Sequence, residues 1–176
     1  PRTPRYRPRP ITDDQLAAVL ALPLKQRTRT MIILAAYAGL RAHEIAKIRG
    51  EDIDTRAGTI TITGKGGRTD TLPAHALILQ AAADHPRRGW WFPSPVNPDR
   101  PITAKNVGAV IAAALRRAGV NATAHQLRHR FATALLRSGA DSRIVQTLMR
   151  HESLATTALY LAVDTDQQTT ALNALA

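Results

Sequence analysis

Hydrophobic and polar positions follow a helical period over most of this chain. A short helix is predicted over 13–22, because Thr12 suits a helix N-cap and Gln15 completes a capping box. The apolar run that follows predicts a second, largely buried helix over 27–38, which Gly39 ends. Two helices thus open the chain.

The helical pattern returns later at several places. Ile45 and Ile48 fall on one face of such a segment, and Thr103 is a suitable N-cap for another. The predicted helical segments are 41–48, 75–84, 103–118 and a stretch from 124 almost to the end, with breaks near Gly139 and Ser153.

Residues 58–74 have a different period. Ile60 and Ile62 alternate with threonines, and the glycines that flank Lys65 predict a tight turn. This segment is predicted to form a β-hairpin with Lys65 at its tip, whereas the prolines of 90–101 predict a loop. The fold class is therefore mainly α with a small antiparallel β-sheet (α+β).

Composition limits the function classes. The chain has 176 residues, is 44% hydrophobic and contains no cysteine, which excludes disulfides, thiolate catalysis and cysteine-based zinc sites. No apolar run approaches the roughly 20 residues of a membrane span, and no secretory signal is evident. We therefore expect a cytoplasmic protein with no membrane partner.

The charge of the chain indicates a polyanionic partner. Lysine and arginine total 24 against 13 acidic residues, which gives a net charge of +11, and nucleic acid is the simplest ligand for such a protein. Residues 1–10 alternate proline with arginine and are predicted to be an extended basic linker. Because the chain does not begin with methionine, we expect it to be part of a longer protein.

The segment HQLRHRFAT, residues 125–133, concentrates candidate chemistry. His125 and His129 lie one helical turn apart, which suits a zinc pair, but the glutamate of the H-E-x-x-H motif is absent and Arg128 would stand beside the metal. Metal-free phosphate chemistry fits these residue types better, because arginine can bind two oxygens of a phosphodiester whose charge grows in the transition state. We predict no metal and no cofactor.

Other residues extend this candidate site, although each also has an ordinary structural explanation. Arg41 follows a glycine at a predicted helix start, where the helix dipole favours an anion, and Lys65 could reach a leaving oxygen from the hairpin. Tyr160 either packs among leucines or acts as a nucleophile beside these cations. Spacing alone leaves both alternatives open for Tyr160.

Three segments, taken in order, resemble the catalytic domain of the tyrosine recombinases, also called the phage integrase family. AYAGLRAHEIAKI (36–48) resembles the first arginine motif, and TGKGGRTDTLPA (63–74) resembles the lysine hairpin. Residues 125–161 resemble the H-x-x-R box followed by a second histidine and the tyrosine. The resemblance implies the fold of a DNA breaking-rejoining enzyme that acts as a site-specific recombinase on double-stranded DNA.

The resemblance also implies catalytic roles. Arg41 and Arg128 would clamp the scissile phosphate, Lys65 would protonate the leaving 5′-oxygen, and His125 would act as a general acid or base. The remaining two catalytic positions are His151, which would hydrogen-bond the phosphate, and Tyr160, which would attack it to form a 3′-phosphotyrosyl link.

Supporting roles follow from the same resemblance. Glu44 and His129 would orient the arginine clamp, with His129 facing inward. Phe131, Ala132 and Leu135 would anchor the helix in the core. Arg68 is a predicted DNA contact.

Position 150 departs from the family pattern. The family usually has glycine immediately before the second histidine, whereas this chain has Arg150. This difference predicts either another conformation of the turn or an additional DNA contact by Arg150.

The implied organisation is a linker (1–10), a catalytic domain (11–163) and a tail (164–176) that docks on a neighbouring protomer. The protein would be a monomer as an isolated domain, with weak DNA binding, and a homotetramer on DNA. Two alternatives stay open: a type IB topoisomerase-like enzyme and a catalytically inactive DNA-binding module.

Overall fold

The structure is a computed structural model, and it describes residues 9–150. This part of the chain contains seven α-helices and one small sheet, which confirms the mainly α prediction. The helices are α1 (Asp13–Ala21), α2 (Gln26–Tyr37), α3 (Ala42–Ala46), α4 (Ala76–Ala81), α5 (Ala104–Arg117), α6 (Ala124–Arg137) and α7 (Ser142–Met149). The strands are β1 (Ile53–Asp54), β2 (Thr59–Thr63) and β3 (Thr69–Pro73).

The sheet is antiparallel, with the order β1-β2-β3. Ile60 and Ile62 of β2 are buried on one face, as their alternation predicts. On the other face, the hydroxyls of Thr61 and Thr71 form a cross-strand hydrogen bond of 2.9 Å. The predicted hairpin is thus confirmed, and β1 adds a third strand that is too short to give a sequence pattern.

Helix boundaries agree best with the sequence where a cap is present. Thr12 and Gln15 form the predicted capping box of α1, and the side chain of Thr103 accepts from Asn106 at the start of α5. α3 is shorter than the predicted 41–48, because Arg41 is its extended N-cap residue and the helix ends before Lys47.

The hydrophobic core has two parts. The main cluster joins helices α1–α5, the start of α6 and the sheet, and α2 contributes fully buried residues such as Met31 and Leu34. A smaller cluster of Ala132, Leu136, Val145 and Met149 holds α6 against α7. Of the predicted anchors of α6, Ala132 is fully buried, whereas Phe131 and Leu135 are partly buried against the smaller cluster.

Gly39 brings the two clusters close together. Its φ of 60° is left-handed, and a Cβ at this position would lie 2.5 Å from Cδ1 of Phe131. Glycine tolerates both this φ and so close an approach. Gly39 therefore permits the sharp turn from α2 into α3.

None of the helices in the described part of the chain has the length and apolar character needed to cross a bilayer.

Candidate active site

The turn between α2 and α3 presents Arg41. Its backbone N–H donates to Oε2 of Glu44 at 2.7 Å, and its Nη1 donates to Oε1 of the same carboxylate at 3.1 Å. The Arg41 side chain remains 41% exposed, while that of Glu44 is only 2% exposed. Glu44 therefore fixes the backbone N–H and one guanidinium nitrogen of Arg41, while the Arg41 side chain stays partly accessible.

The N-terminal half of α6 supplies the histidine and the second arginine. Thr123 and Gln126 form a capping box that starts the helix, so His125 and Arg128 project from its first turns. Arg128 is buried, and its guanidinium donates to the carbonyl of Gly39 and, at 2.6 Å, to that of Met149. This one side chain thus joins α6 to the turn before α3 and to the end of α7.

His125 and His129 contact each other through their Nε2 atoms at 2.8 Å. His125 is an exposed residue, but partial desolvation of its ring lowers its pKa, and the charges of Arg128 and Arg41 lower that pKa further. Burial, His125 and Arg128 lower the pKa of His129 to about 4. Both rings are therefore neutral near pH 7, and one Nε2 donates its hydrogen to the lone pair of the other.

A cavity of about 260 Å³ brings three of the predicted residues together. Arg41, His125 and Arg128 line it, with Leu40, Ala42 and Ala124 as the remaining walls. These residues come from two segments that are more than eighty positions apart in the sequence. The cavity combines two arginines with a histidine that can accept a proton, which suits an anion that undergoes acid–base chemistry.

A larger groove of about 1020 Å³ connects this region to the hairpin. Arg41 lines both spaces, and Lys65 and Arg68 reach the groove from the turn between β2 and β3. Lys65 is exposed, and the Arg68 side chain is 81% exposed and lies 3.9 Å from Asp70. The groove is lined by Arg41, His43, Glu44, Gly64, Lys65, Arg68, Asp70, Thr71, Leu72, Gln146, Thr147 and Arg150. Its four lysines and arginines against two carboxylates favour a polyanion.

Arg150 differs from its predicted role. Its side chain is 6% exposed and its Nη2 donates to Glu44 at 2.8 Å, so the guanidinium points into the protein. We therefore do not retain the prediction of a DNA contact for Arg150. The turn itself keeps the left-handed conformation that a glycine would adopt, with φ 53° and ψ 44°.

Glu44 is the residue on which these contacts meet. Burial acts to raise its pKa, but the charges and hydrogen bonds of Arg150 and Arg41 lower the pKa below its usual value. The carboxylate is therefore ionised and shared between the two arginines.

His151 and Tyr160 lie outside the described residues, as does the tail 164–176. Sequence reasoning did not select His43, Gln146 and Thr147, although all three line the groove. Gln146 and Thr147 lie one helical turn before Arg150, and this spacing is a signal that could have placed them on the same face.

Across residues 9–150, no group of three or more histidine, aspartate or glutamate side chains is arranged to hold a metal ion.

Comparison with known proteins identifies the family. The phage integrase family matches residues 11–167, and the chain therefore belongs to it. Tyrosine recombinase XerA of Pyrococcus furiosus is 33% identical over 172 residues, which cover 93% of this chain and 60% of the relative. The chain spans about 60% of the length of the first curated relatives it matches.

Solved structures share the same fold. The integrase from mycobacterium phage Brujita is 45% identical, with a TM-score of 0.82 over 96% of this chain and 57% of that integrase. XerH site-specific recombinase bound to palindromic difH substrate, a post-cleavage complex, gives a TM-score of 0.77 at 22% identity, over 94% of this chain and 52% of XerH. The predicted tyrosine-recombinase catalytic-domain fold is thereby confirmed.

Proposed function

We propose that this chain is the catalytic domain of a site-specific DNA recombinase or integrase. It would cleave one DNA strand at a time without a metal or cofactor and rejoin it to a new partner strand. The cavity that Arg41, His125 and Arg128 share is the observation that carries the proposal, because it places two cations and a neutral histidine at one anion-sized space.

The proposed cleavage step is a transfer of the phosphoryl group to a tyrosine. The phenol oxygen of Tyr160 attacks the phosphorus and forms a P–O bond, while the bond to the 5′-oxygen breaks. His125 accepts the phenol proton, and Lys65 supplies a proton to the departing 5′-oxygen. Religation reverses these transfers with the 5′-hydroxyl of another strand, so the phosphotyrosyl link conserves the bond energy.

Positive charge near the phosphate lowers the barrier of this step. Arg41 is partly exposed at the junction of the cavity and the groove, where its guanidinium can bind the non-bridging oxygens. Arg128 lines the same cavity and is fixed by two backbone carbonyls. His151 would add a hydrogen bond to the phosphate.

Lys65 reaches the groove from a turn whose two glycines have φ near 75°. Because such a turn lies at the end of a two-stranded extension, it can approach DNA lying in the groove. Arg68, the most exposed of the groove cations for which an ion pair is seen, would contact the DNA backbone.

The partner in this proposal is double-stranded DNA. XerH, which has the same fold, was solved bound to its DNA substrate, and the basic groove described above supports the same partner here. The proposal extends to a homotetramer assembled on DNA, a monomeric isolated domain, a tail over 164–176 that docks on a neighbour, and a cytoplasmic location.

A nicked suicide duplex tests the proposal. Such a duplex loses a short fragment after cleavage, so the covalent protein–DNA complex accumulates and migrates slowly on a denaturing gel. The chain should form this complex through a 3′-phosphate in excess EDTA, and the Tyr160→Phe variant should form none because it lacks only the attacking oxygen.

Three results would contradict the proposal. If chelation abolished the complex and added metal restored it, cleavage would require a metal ion and the metal-free mechanism would be wrong. A complex formed by Tyr160→Phe would assign another nucleophile. DNA binding without any complex in the parent chain would indicate an inactive DNA-binding module.

A further inference from the structure

Arg150 occupies a backbone conformation that suits glycine. Among residues 9–150 it is the only residue other than glycine with a positive φ, and it forms the C-cap of α7 immediately before His151. A Cβ makes this left-handed conformation unfavourable. The Arg150 side chain, however, makes contacts that a glycine at this turn could not make.

The guanidinium of Arg150 joins three separate parts of the site. Nη2 binds the Glu44 carboxylate at 2.8 Å, and Nη1 binds the carbonyl of Leu148 at 2.9 Å. Longer contacts of 3.5 and 3.3 Å reach the carbonyls of Ala38 and Gly39. The end of α7 is thus connected directly to the turn that precedes α3.

This arrangement is not an efficient way to stabilise a fold. A buried ion pair between Arg150 and Glu44 gains little over apolar packing, because both charges lose their hydration. Among residues 9–150, the Nε atom of Arg150 also has no hydrogen-bond partner although it is buried, which is uncommon for a polar atom. A strained backbone and an unsatisfied donor at one residue are typical of functional sites.

The Glu44 carboxylate transmits the effect of Arg150 to Arg41. Its Oε2 accepts from both Nη2 of Arg150 and the backbone N–H of Arg41, and its Oε1 accepts from Nη1 of Arg41. Without Arg150, the buried carboxylate would lose its largest source of positive charge and could rotate or take up a proton. In either case Arg41 would lose a fixed partner.

We propose that Arg150 is a positioning residue that fixes the Arg41 side chain through Glu44 and holds the end of α7 against the Arg41 turn. The inference rests on the proposed function, since Arg41 is there the exposed arginine of the phosphate clamp. It assigns to Arg150 a role that a glycine at the same turn cannot perform.

Two substitutions separate the side chain from the backbone conformation. Arg150→Gly removes the guanidinium and relieves the left-handed strain, whereas Arg150→Met removes the guanidinium and keeps the strain. Both variants should lower the maximal rate of covalent-complex formation about 100-fold, the scale of a small misplacement of a catalytic group. The DNA concentration at half-maximal rate should change little, and Arg150→Gly should melt at a higher temperature than Arg150→Met.

The Glu44→Gln background supplies the matched control. Because Arg150 acts through the charge of Glu44, Arg150→Gly should reduce the rate much less in Glu44→Gln than in the parent chain. Arg150→Lys, which keeps the charge but has one donor group instead of a fork, should recover part of the rate. A rate that instead follows the melting temperature, with Arg150→Gly close to the parent, would overturn the proposal in favour of a purely structural role.

NMR relaxation of the Arg41 Nε–H group gives a readout that does not need DNA cleavage. Arg41 should be more mobile in both Arg150→Gly and Arg150→Met than in the parent chain, and Arg150→Lys should lie between. Unchanged Arg41 order in these variants would overturn the positioning role. If the parent chain formed no covalent complex, the proposed function would fail, and the Arg41 measurement would still decide whether Arg150 fixes Arg41.

Discussion

At the scale of single residues, Arg128 connects α6 to the turn after α2 and to the end of α7, because its buried guanidinium donates to the carbonyls of Gly39 and Met149. The order of Arg41, Lys65, His125 and Arg128 predicts residues suited to one phosphate site, and the structure brings Arg41, His125 and Arg128 to one cavity. The burial of Arg128 on two backbone carbonyls could not be predicted, because it depends on where the ends of α2 and α7 meet. The inward orientation of Arg150 escaped prediction for the same reason.

The lowered pKa of His129 makes the stability of the fold depend on pH. Its pKa is about 4 in the folded protein and near 6.5 when the chain unfolds. Between these values the unfolded state binds more protons, so the contribution of His129 to stability is present above about pH 6.5 and is lost as the pH falls toward 4.

The pH dependence of unfolding tests this account of His129. The free energy of unfolding, measured by urea titration, should decrease from pH 6.5 to 4 in the parent chain. The decrease should be smaller in His129→Gln, which cannot take up the proton. Parallel pH profiles for the two proteins would show that His129 is not held neutral by the fold.

At the scale of elements, the sequence predicts those helix starts and strands that depend on contacts between residues close together in the chain. Capping residues give the starts of α1 and α5, and alternation gives the hairpin β2–β3. β1 has two residues and forms only because β2 offers it a partner. The loop 90–101 is irregular as predicted, but Trp91 and Phe92 are buried in the main core, a result of packing that its prolines do not reveal.

Gly39 forms the sharp turn between α2 and α3. Gly39→Ala should lower the free energy of unfolding by about 2–4 kcal/mol, from left-handed strain and from the close approach to Phe131. Gly108→Ala is the matched control, because a Cβ there meets no atom within 4 Å and the residue lies inside α5. That variant should instead be stabilised by about 0.5–1 kcal/mol. Equal melting temperatures for the two variants would contradict the assigned role of Gly39.

At the scale of the whole molecule, the net charge of +11 predicts the class of partner but not the place where it binds. The fold supplies the place, because it gathers Arg41, Lys65 and Arg68 along one groove. Arg41 lies at the turn before α3, whereas Lys65 and Arg68 lie in the hairpin, and their proximity follows from tertiary packing that neither segment encodes alone.

Salt dependence of DNA binding tests whether this groove is the contact surface. The logarithm of the binding constant should fall with the logarithm of salt concentration by about 0.9 for each phosphate neutralised. Arg68→Gln should therefore reduce the slope by about one unit. Arg116→Gln, an exposed change in α5 outside the groove, should leave the slope unchanged. Equal effects of the two substitutions would place the DNA on another surface.

Peptide mapping of the trapped complex tests most directly whether Tyr160 forms the covalent bond to DNA without a metal. Residues 151–176 contain no lysine or arginine and a single tyrosine, so trypsin cleavage after Arg150 isolates Tyr160 on one peptide. The complex formed in EDTA, digested with nuclease and trypsin, should carry a 3′-phosphonucleotide on Tyr160 of that peptide. The same modification on the peptides that contain Tyr6 or Tyr37, or its absence from residues 151–176, would contradict the proposed mechanism.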